Sequence, residues 1–490
     1  MRTQKKAALV LIPVLLVVGL AVYLVKSTFF AGPLLKKAER GVVDDVSRLN
    51  ATKVARVVAP ENLESIQQAL SLAREEGLSV SIAGMRHSMG GHTLSPGGLL
   101  LDMTSFNEVI AIDEEAKTVR VESGATWNDV IRAVNPYGLS VPVLQDYSTF
   151  TVGGSLSVNI HQSDPNYGSI METVRSFRLF TPSGEVLEVS RTQRPELFDL
   201  VIGGYGLFGI VLDVDLDLTD NHLYQKHEEA LDYAEYEEYF TTLRSDTAIE
   251  NVFARLSIVP DETLLKEMVV TTYAVAGEGA VKTELEEDRV WLKKLFFDLS
   301  RSSEAGKRLR WYVQKNHSVG AEPLTVTRNN LDYNDASFLE YHSNEDTDIL
   351  QEYFFPKEAL VPFLDSLREV VVRENINLLS ATVRYIPPRS EGFITYASPT
   401  EERFGVVLYL NVGRSPEAQE KVTAWTRELI DTSTELGGTY YLPYELYATK
   451  AQLKAAYPRI DEFFAKKTAY DPEEILMNKF YRRYAKGENE

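Results

Sequence analysis

The stretch ATKVARVVAPENLESIQQALSLAREEGLSVSIAG, residues 51–84, sets the pattern of the first half of the chain. Short β-branched runs flank a segment whose leucine and isoleucine residues recur at near-helical spacing, after Asn62 and before Gly77. This pattern predicts a strand, a turn, a helix and a second strand. Similar alternations with glycine-rich turns continue to Leu218, and they predict a mixed α+β domain whose loops bind a ligand.

The loop GMRHSMGG, residues 84–91, follows directly on the second predicted strand. Its glycines allow φ values that other residues avoid and let a ligand approach the backbone closely. Successive backbone N–H groups in such a loop form a nest for an anion such as a pyrophosphate. The glycine spacing does not fit the G-x-G-x-x-G pattern of the Rossmann fold, so this loop alone is equally well a polar turn or a phosphate cradle.

Two further glycine-rich segments favour the cradle. TVGGSLSVNIHQSDPNYGSI, residues 151–170, places paired glycines before a predicted helix, and GGYGLFGIVLDVDL, residues 203–216, leads into a predicted strand. Three such loops in one domain exceed what turns require. They suit an extended dinucleotide that lies along the backbone.

Composition narrows the function further. The 490-residue chain is long enough for two or three domains, and its formal net charge of -20 disfavours nucleic acid as a partner. The absence of cysteine excludes disulfides, thiolate metal ligands and a cysteinyl cofactor link. Five of the histidines show no metal-ligand spacing, so no metal site is predicted: His92, His222, His227, His317 and His342.

The N-terminus predicts a membrane anchor within residues 1–30. Basic residues precede an uncharged, largely apolar run, residues 7–25, that is long enough to cross the ~30 Å hydrocarbon core of a bilayer. A cleaved secretory signal peptide is the competing interpretation, although the apolar run is long for one. Basic residues on both flanks leave the orientation open, so the sequence predicts a single-pass membrane protein without choosing a side.

The amino-acid composition of the chain changes after the glycine-rich half. Residues 222–436 carry more charge and more aromatics, and their second half predicts the order β-α-β-β-α-β of a ferredoxin-like sheet. Such a domain could pack as a cap over a ligand held by residues 50–220. The last strand of this order is GTYYLP, residues 438–443, and the tail, residues 457–484, reads as helix and turn. Residues 437–490 are expected to return to the first domain.

The ordered motifs from VARVVAPENLESIQQAL to GGYGLFGIVLDVDL resemble the FAD-binding domain of the vanillyl-alcohol oxidase and p-cresol methylhydroxylase (PCMH) superfamily. YDPEEILMNKFYRRY, residues 470–484, is similar to the C-terminal flavin-contacting segment of that superfamily. The resemblance implies an α+β fold: a two-part PCMH-type FAD-binding domain with a ferredoxin-like cap, here preceded by one transmembrane helix. The motifs are nearest to cytokinin dehydrogenases and to alditol and aldonolactone oxidases. The implied FAD contacts are Gly84, Arg86, His87, Ser88, Met89, Gly90, Gly91, Gly153, Gly154, Ser157, His161, Gly204, Gly209, Ile210 and Asn478.

Two histidines gain roles from the resemblance. In members with a G-x-x-H-S loop, the histidine that matches His87 is joined covalently to the flavin, whereas the competing interpretation is a histidine that only hydrogen-bonds its loop. His161 matches the N-x-H-G segment beside the flavin ring. Gln162 replaces the glycine of that segment, so a purely structural role for His161 stays open.

Three cap residues are candidates for substrate chemistry. Arg384 is similar in place to the arginine that polarises a substrate oxygen in alditol and aldonolactone oxidases, but Thr382 stands where those enzymes have glutamate. Glu352 and Tyr444 lie on or beside other predicted strands, and Lys450 competes with Tyr444 for the same family position. The competing interpretation for each is a sheet-surface or ion-pair residue.

The resemblance implies an FAD-dependent oxidase or dehydrogenase that oxidises a hydroxyl-bearing substrate, such as an alcohol, sugar or lactone, by hydride transfer to flavin. The substrate is a small molecule or a lipid-linked one, and the electrons pass to O₂ or to a membrane acceptor. Two rivals remain: a flavin-binding membrane protein without turnover, and an FAD-dependent reductase or oxidase of a lipid-linked substrate.

Overall fold

The computed structural model describes residues 41–277, 279–286, 290–320, 324–334, 341–389 and 392–488. The chain divides into two units, residues 1–43 and residues 44–490. The predicted anchor, residues 7–25, lies outside the described residues. Within the described ranges, no helix is long and apolar enough to cross a membrane.

The opening motif forms the predicted strands and helix, and the structure adds that the strands belong to a small parallel sheet. The sheet has the strand order Arg56–Val58, Leu99–Asp102, Val80–Ala83. Its helix, Leu63–Glu76, begins at Asn62, whose side chain accepts a hydrogen bond from the Ser65 N–H at 2.9 Å. The helix ends at Gly77, which adopts a left-handed conformation with φ 66°.

A five-stranded antiparallel sheet forms the second layer of the glycine-rich half. Its strand order is Val186–Ser190, Val174–Phe180, Ile210–Asp217, Thr118–Glu122, Val109–Asp113. Buried residues of these strands pack with the helices that follow Thr126 and Thr151. The sheet therefore fixes the positions of the glycine-rich loops that precede and follow its strands.

An eight-stranded sheet, here called the cap sheet, contains the predicted β-α-β-β-α-β unit. Taken in chain order, the four strands of this unit lie in the spatial order 2-3-1-4, so the third strand separates the first two. This is the split arrangement of ferredoxin-like sheets. Four earlier strands extend the sheet, an extension that the sequence pattern did not indicate. Across the whole sheet the order is Leu324–Thr327, Leu223–Asp232, Glu267–Val275, Ile249–Leu256, Asn377–Ile386, Arg403–Gly413, Asp346–Pro356, Thr439–Tyr440.

The remaining regular elements connect and cover these sheets. Short strands lie at Val42–Val43, Thr52–Lys53, Leu139–Ser140 and Thr219–Asp220. The described α-helices are Leu63–Glu76, Trp127–Val134, Val152–Val158, Pro195–Val201, Tyr236–Leu243, Val290–Ser302, Glu304–Val313, Arg328–Asp332, Leu360–Arg373, Pro416–Glu435, Lys450–Ala456, Ile460–Tyr470 and Lys479–Tyr484.

The C-terminal segment runs back to the parallel sheet. Leu476 forms a parallel bridge with Val80, whose N–H donates to the Ile475 carbonyl at 2.6 Å. Asn478 then caps the helix Lys479–Tyr484 and donates from its side chain to the Tyr205 carbonyl at 2.9 Å. The tail thus contacts the strand before the first glycine-rich loop, at Val80, and the third glycine-rich segment, at Tyr205. The domain boundaries given above stay predictions.

Candidate functional site

One cavity of about 770 Å³ lies between the glycine-rich loops and the cap sheet. The loops contribute residues around Gly84, Gly153 and Gly209, while the sheet contributes alternate residues of neighbouring strands. Alternate residues of a strand share one face, so a whole face of the cap sheet closes the cavity on that side. This places the predicted ligand loops and the predicted chemical groups around one space.

The glycines permit a close fit that other residues would block. A Cβ at Gly84 would clash with Thr151, and a Cβ at Gly153 would lie 2.7 Å from that of Ser123. The backbones therefore approach more closely than side chains allow. Close packing of this kind keeps the loop backbones at the cavity wall.

Residues of the cavity wall also carry buried polar atoms without a protein partner. The hydroxyl groups of Thr93 and Ser123 and Oδ2 of Asp332 find no hydrogen-bond partner among the described residues. A buried polar group is normally paired, so such atoms indicate a polar ligand. The residues present therefore fit a cofactor such as FAD, which is both long and rich in hydrogen-bonding groups.

Most of the predicted FAD contacts line the cavity, although their role toward FAD stays a prediction. Those in the wall are Gly84, Arg86, His87, Ser88, Met89, Gly153, Gly154, Ser157 and Gly209. Two others lie outside the wall: Gly91 donates its N–H to Asp45 at 3.0 Å, and Asn478 donates to the carbonyl of Tyr205, itself a wall residue. The remaining residues outside the wall are Gly90, His161, Gly204 and Ile210.

His87 faces the cavity with its ring against Phe150, at a centroid distance of 4.2 Å. No hydrogen bond to its imidazole comes from the part of the chain that the structure describes. Burial lowers the pKa of His87 to about 4, so the ring is neutral at neutral pH. A neutral imidazole keeps a nitrogen lone pair, which is what a covalent link to carbon requires.

The loop around His87 carries backbone strain. Arg86 has φ 57°, a left-handed conformation that is costly for a residue with a side chain. Its carbonyl accepts a hydrogen bond from the Val46 N–H at 3.1 Å, and its guanidinium lies 3.9 Å from the Asp102 carboxylate. These contacts hold the loop in the conformation that turns His87 toward the cavity.

The three predicted substrate-side residues come together. Arg384 forms an ion pair with Asp146 and lies within the electrostatic range of Glu352 and Tyr444. Arg384 and Tyr444 line the cavity, whereas Lys450, the alternative to Tyr444, begins a helix and is not in the wall. Burial and the nearby Glu352 charge hold the pKa of Tyr444 well above its usual value, so its hydroxyl stays protonated.

Glu352 does not line the cavity. Its carboxylate lies 2.9 Å from Nε2 of His161, and both side chains are buried. Glu352 is opposite Val407, and Val407 is opposite Thr382, so the three share the face of the cap sheet that closes the cavity. The pair thus lies beside the wall residues on the same face and links the second glycine-rich segment to the cap sheet.

Gln162, the departure from the family pattern, has a definite structural role. Its side-chain oxygen accepts the Leu144 N–H at 2.9 Å, and its side-chain nitrogen donates to Oδ1 of Asp332 at 3.2 Å. Burial raises the pKa of Asp332 to about 7, although the nearby Arg328 opposes the shift. A wall carboxylate that titrates near neutral pH is suited to accept and release a proton.

Sequence reasoning missed two acidic residues of the site. Asp146 pairs with a residue 238 positions away, and Asp332 lies at the end of a short helix outside the predicted elements. Neither carries a local motif, so no signal in the sequence points to them. Over the described residues, no group of three or more His, Asp or Glu side chains is placed to hold a metal ion.

The sequence of this chain is similar to a family of FAD-binding domains and to several known proteins. Residues 54–190 match the model of an FAD binding domain. The uncharacterized oxidoreductase ORF5 in the fasciation locus of Rhodococcoides fascians is 36% identical over 34% of this chain and 38% of its own length. Cytokinin dehydrogenase 2 of Oryza sativa is 29% identical over 38% of this chain and 37% of its own. These matches thus span well under half of either relative.

One relative matches along most of the chain. Decaprenylphosphoryl-beta-D-ribose oxidase of Mycolicibacterium smegmatis is 24% identical over 88% of this chain and 95% of its own length. The predicted superfamily is confirmed by these matches together. They do not select one substrate, because the relatives are named for different ones.

Proposed function

We propose that this chain, which belongs to the superfamily with the PCMH-type FAD-binding domain, is an FAD-dependent oxidoreductase that oxidises a hydroxyl-bearing substrate. The observation that carries the proposal is the cavity where Arg384, Asp146 and Tyr444 meet the glycine-rich loops. Cationic and hydroxyl donors that face a shared space can stabilise developing negative charge on a substrate oxygen. Bound FAD supplies the acceptor for the hydride that leaves the substrate carbon.

The residues of the chain bind the substrate and move its proton. Arg384 donates an N–H to the substrate oxygen, and the Asp146 carboxylate holds the guanidinium in place. Tyr444 remains protonated and serves as a second donor. The hydroxyl proton passes to the carboxylate of Asp332, a residue of the cavity wall whose pKa of about 7 suits it to accept a proton at neutral pH.

We further propose that His87 carries the flavin through a covalent bond. Support comes from its neutral imidazole in the cavity wall and from the strained loop that presents it. The substrate remains a small or lipid-linked molecule, and O₂ or a membrane acceptor takes the electrons. The lipid-linked option depends on the predicted anchor within residues 1–30.

The test of the flavin link is acid precipitation of the purified protein. We expect a yellow pellet and a flavin mass on the peptide that contains His87. His87→Ala should release all flavin into the supernatant, while His227→Ala, an exposed histidine of the cap sheet, should leave the pellet yellow. Free FAD in the supernatant of the wild-type protein would contradict the covalent link.

The test of the reaction is anaerobic mixing of the holoprotein with polyols, lactones, hydroxy acids and amines, followed at the flavin absorption band. We expect bleaching by a hydroxyl compound, and Arg384→Gln should slow it by about 10²–10³-fold because a charged donor to the reacting oxygen is lost. Arg373→Gln is the matched control, since Arg373 forms an exposed ion pair with Glu428. Bleaching by NADPH alone would favour the reductase, and no bleaching at all would favour a binding protein without turnover.

A further inference from the structure

Most charged groups of the cavity wall have an ion-pair partner. Within the wall, Lys226 pairs with Glu228 at 2.9 Å. Two wall residues pair with described residues outside it: Arg86 lies near Asp102, and Asp348 pairs with Arg301. Arg384 forms an ion pair with Asp146. Two wall residues, Arg255 and Arg310, have no ion pair with any residue that the structure describes. The wall has one further acidic group without an ion pair among the described residues, Asp332, whose pKa of about 7 leaves it only partly ionised at neutral pH. The wall therefore keeps an excess of positive charge in a protein with a formal net charge of -20.

The two arginines reach the cavity from different elements. Arg255 lies on the strand Ile249–Leu256, directly opposite Thr382, so it shares the cavity face of the cap sheet. Arg310 lies on the helix Glu304–Val313. The charges of Arg255, Arg310 and Arg384 each lower the pKa of Tyr147, against the larger effect of its burial, so all three side chains lie in the neighbourhood of that tyrosine.

Local contacts orient both guanidinium groups without neutralising them. Arg310 donates from Nη1 to the Leu379 carbonyl at 2.8 Å and stacks over the Phe297 ring at 4.2 Å. Arg255 lies over the Phe253 ring at 5.2 Å. Aromatic faces and a carbonyl hold a guanidinium while leaving its other N–H groups available.

Their mutual repulsion is a cost that a bound anion would remove. Burial and the neighbouring Arg255 charge lower the pKa of Arg310 to about 10, so the Arg310 guanidinium is still charged at neutral pH. Like charges that act on each other destabilise the folded protein, and an anion bound between them would offset that cost. Arginine is also the residue best suited to bind a planar or tetrahedral oxyanion through two N–H groups.

We propose that Arg255 and Arg310 form an oxyanion subsite, so that the substrate of this cavity carries a carboxylate or phosphate group besides the carbon that is oxidised. The inference rests on the proposed function for the identity of the bound molecule as a substrate. The flavin pyrophosphate is assigned to the glycine-rich loops, which are separate elements from the strand and helix that carry these arginines.

The test measures anion binding without turnover. The purified holoprotein is titrated with inorganic phosphate, with acetate and with neutral glycerol at constant ionic strength, and the flavin difference spectrum and the unfolding temperature are recorded. We expect phosphate or acetate to perturb both and glycerol to leave both unchanged. Arg255→Gln and Arg310→Gln should each weaken anion binding by about tenfold to a hundredfold, and Arg310→Lys by less.

The matched control is Arg308→Gln on the same helix, because Arg308 is half exposed and pairs with Asp261. It should bind anions as the wild type does. The response of the wild-type protein to phosphate against acetate separates the two oxyanion classes.

Three results would overturn the subsite. They are no anion binding by the wild type, equal binding by the arginine variants, or loss of FAD from those variants, which would assign the arginines to the cofactor. If neutral polyols bleach the flavin and anions do not bind, the subsite fails while the proposed oxidation stands. If anions bind through the arginines and no substrate bleaches the flavin, the subsite stands while the proposed oxidation fails.

Discussion

Single side chains set the protonation chemistry of the site. Burial favours the neutral form of both His87 and Asp332, but the two effects have opposite consequences for proton binding. His87 holds its proton less tightly than usual, whereas Asp332 holds its proton more tightly. At neutral pH the cavity thus offers an uncharged imidazole and a carboxyl group near its titration point.

Asp332→Asn should change how stability depends on pH. The pKa of Asp332 is about 7 in the folded protein against a usual value of 3.8, so between these values the folded state holds a proton that the unfolded chain has lost. The stability due to Asp332 is therefore present at low pH and is lost as pH rises through 7. Asparagine does not ionise, so we expect the variant to gain up to about 4 kcal/mol over the wild type between pH 4 and pH 8.5.

The measurement is urea unfolding of both proteins at several pH values. Glu284→Gln, at an exposed position, is the control and should show no such gain. A constant difference between Asp332→Asn and the wild type across the pH range would show that Asp332 does not titrate near 7. In the proposed reaction, the same variant also removes the step near pH 7 from the rate of flavin reduction.

Among the elements, the short helix Val152–Val158 joins two of the glycine-rich loops. Its N-cap, Thr151, accepts the Gly154 N–H at 3.3 Å, and Gly84 of the first loop packs against the same threonine. The helix start and the first loop therefore support each other. Neither can shift without moving the cavity wall on both sides.

Gly84→Ala should loosen this junction. The added Cβ would clash with the Thr151 side chain, which is buried and β-branched and so has few alternative rotamers. We expect a loss of about 1–3 kcal/mol in the free energy of unfolding, from overpacking and from a weakened cap, together with weaker retention of FAD. Thermal unfolding and flavin content of the purified protein measure the two effects.

Gly277→Ala is the control, because a Cβ at that exposed position meets no atom within 4 Å. It should keep the wild-type unfolding temperature and flavin content. Equal behaviour of the two variants would mean that the Gly84 contact does not constrain the loop.

At the scale of the whole molecule, the C-terminal segment returns to the parallel sheet of the first half of the chain and pairs with its strand Val80–Ala83. Asp471 accepts the N–H groups of Ile475 and Leu476 at 3.1 and 2.9 Å, and this turn sets Leu476 against Val80. Its carboxylate also forms an ion pair with Lys467, and their side chains are 1% and 0% exposed. One buried carboxylate thus fixes the return of the tail.

Asp471→Ala should destabilise the protein by about 3–5 kcal/mol, because it leaves the buried Lys467 ammonium without its partner. We also expect loss of FAD, since Asn478 contacts the cavity wall through Tyr205. Asp461→Ala is the matched control: Lys454 and Asp461 form an ion pair whose side chains are 45% and 62% exposed. Its cost should stay below about 1 kcal/mol, and a similar cost for both variants would contradict a special role of the buried pair.

The sequence by itself determined the local elements and the class of ligand. Hydrophobic spacing and backbone preference act within a few residues of the chain. They are therefore sufficient to predict the helix caps at Asn62 and Gly77 and the order of strands and helices after Asp346. The glycine-rich loops likewise indicated a dinucleotide site. Only the tertiary structure decided which side chains share the cavity. The ion pair of Arg384 with Asp146, the buried carboxyl of Asp332 and the convergence of Arg255 and Arg310 join distant parts of the chain, and such contacts depend on packing that leaves no local pattern.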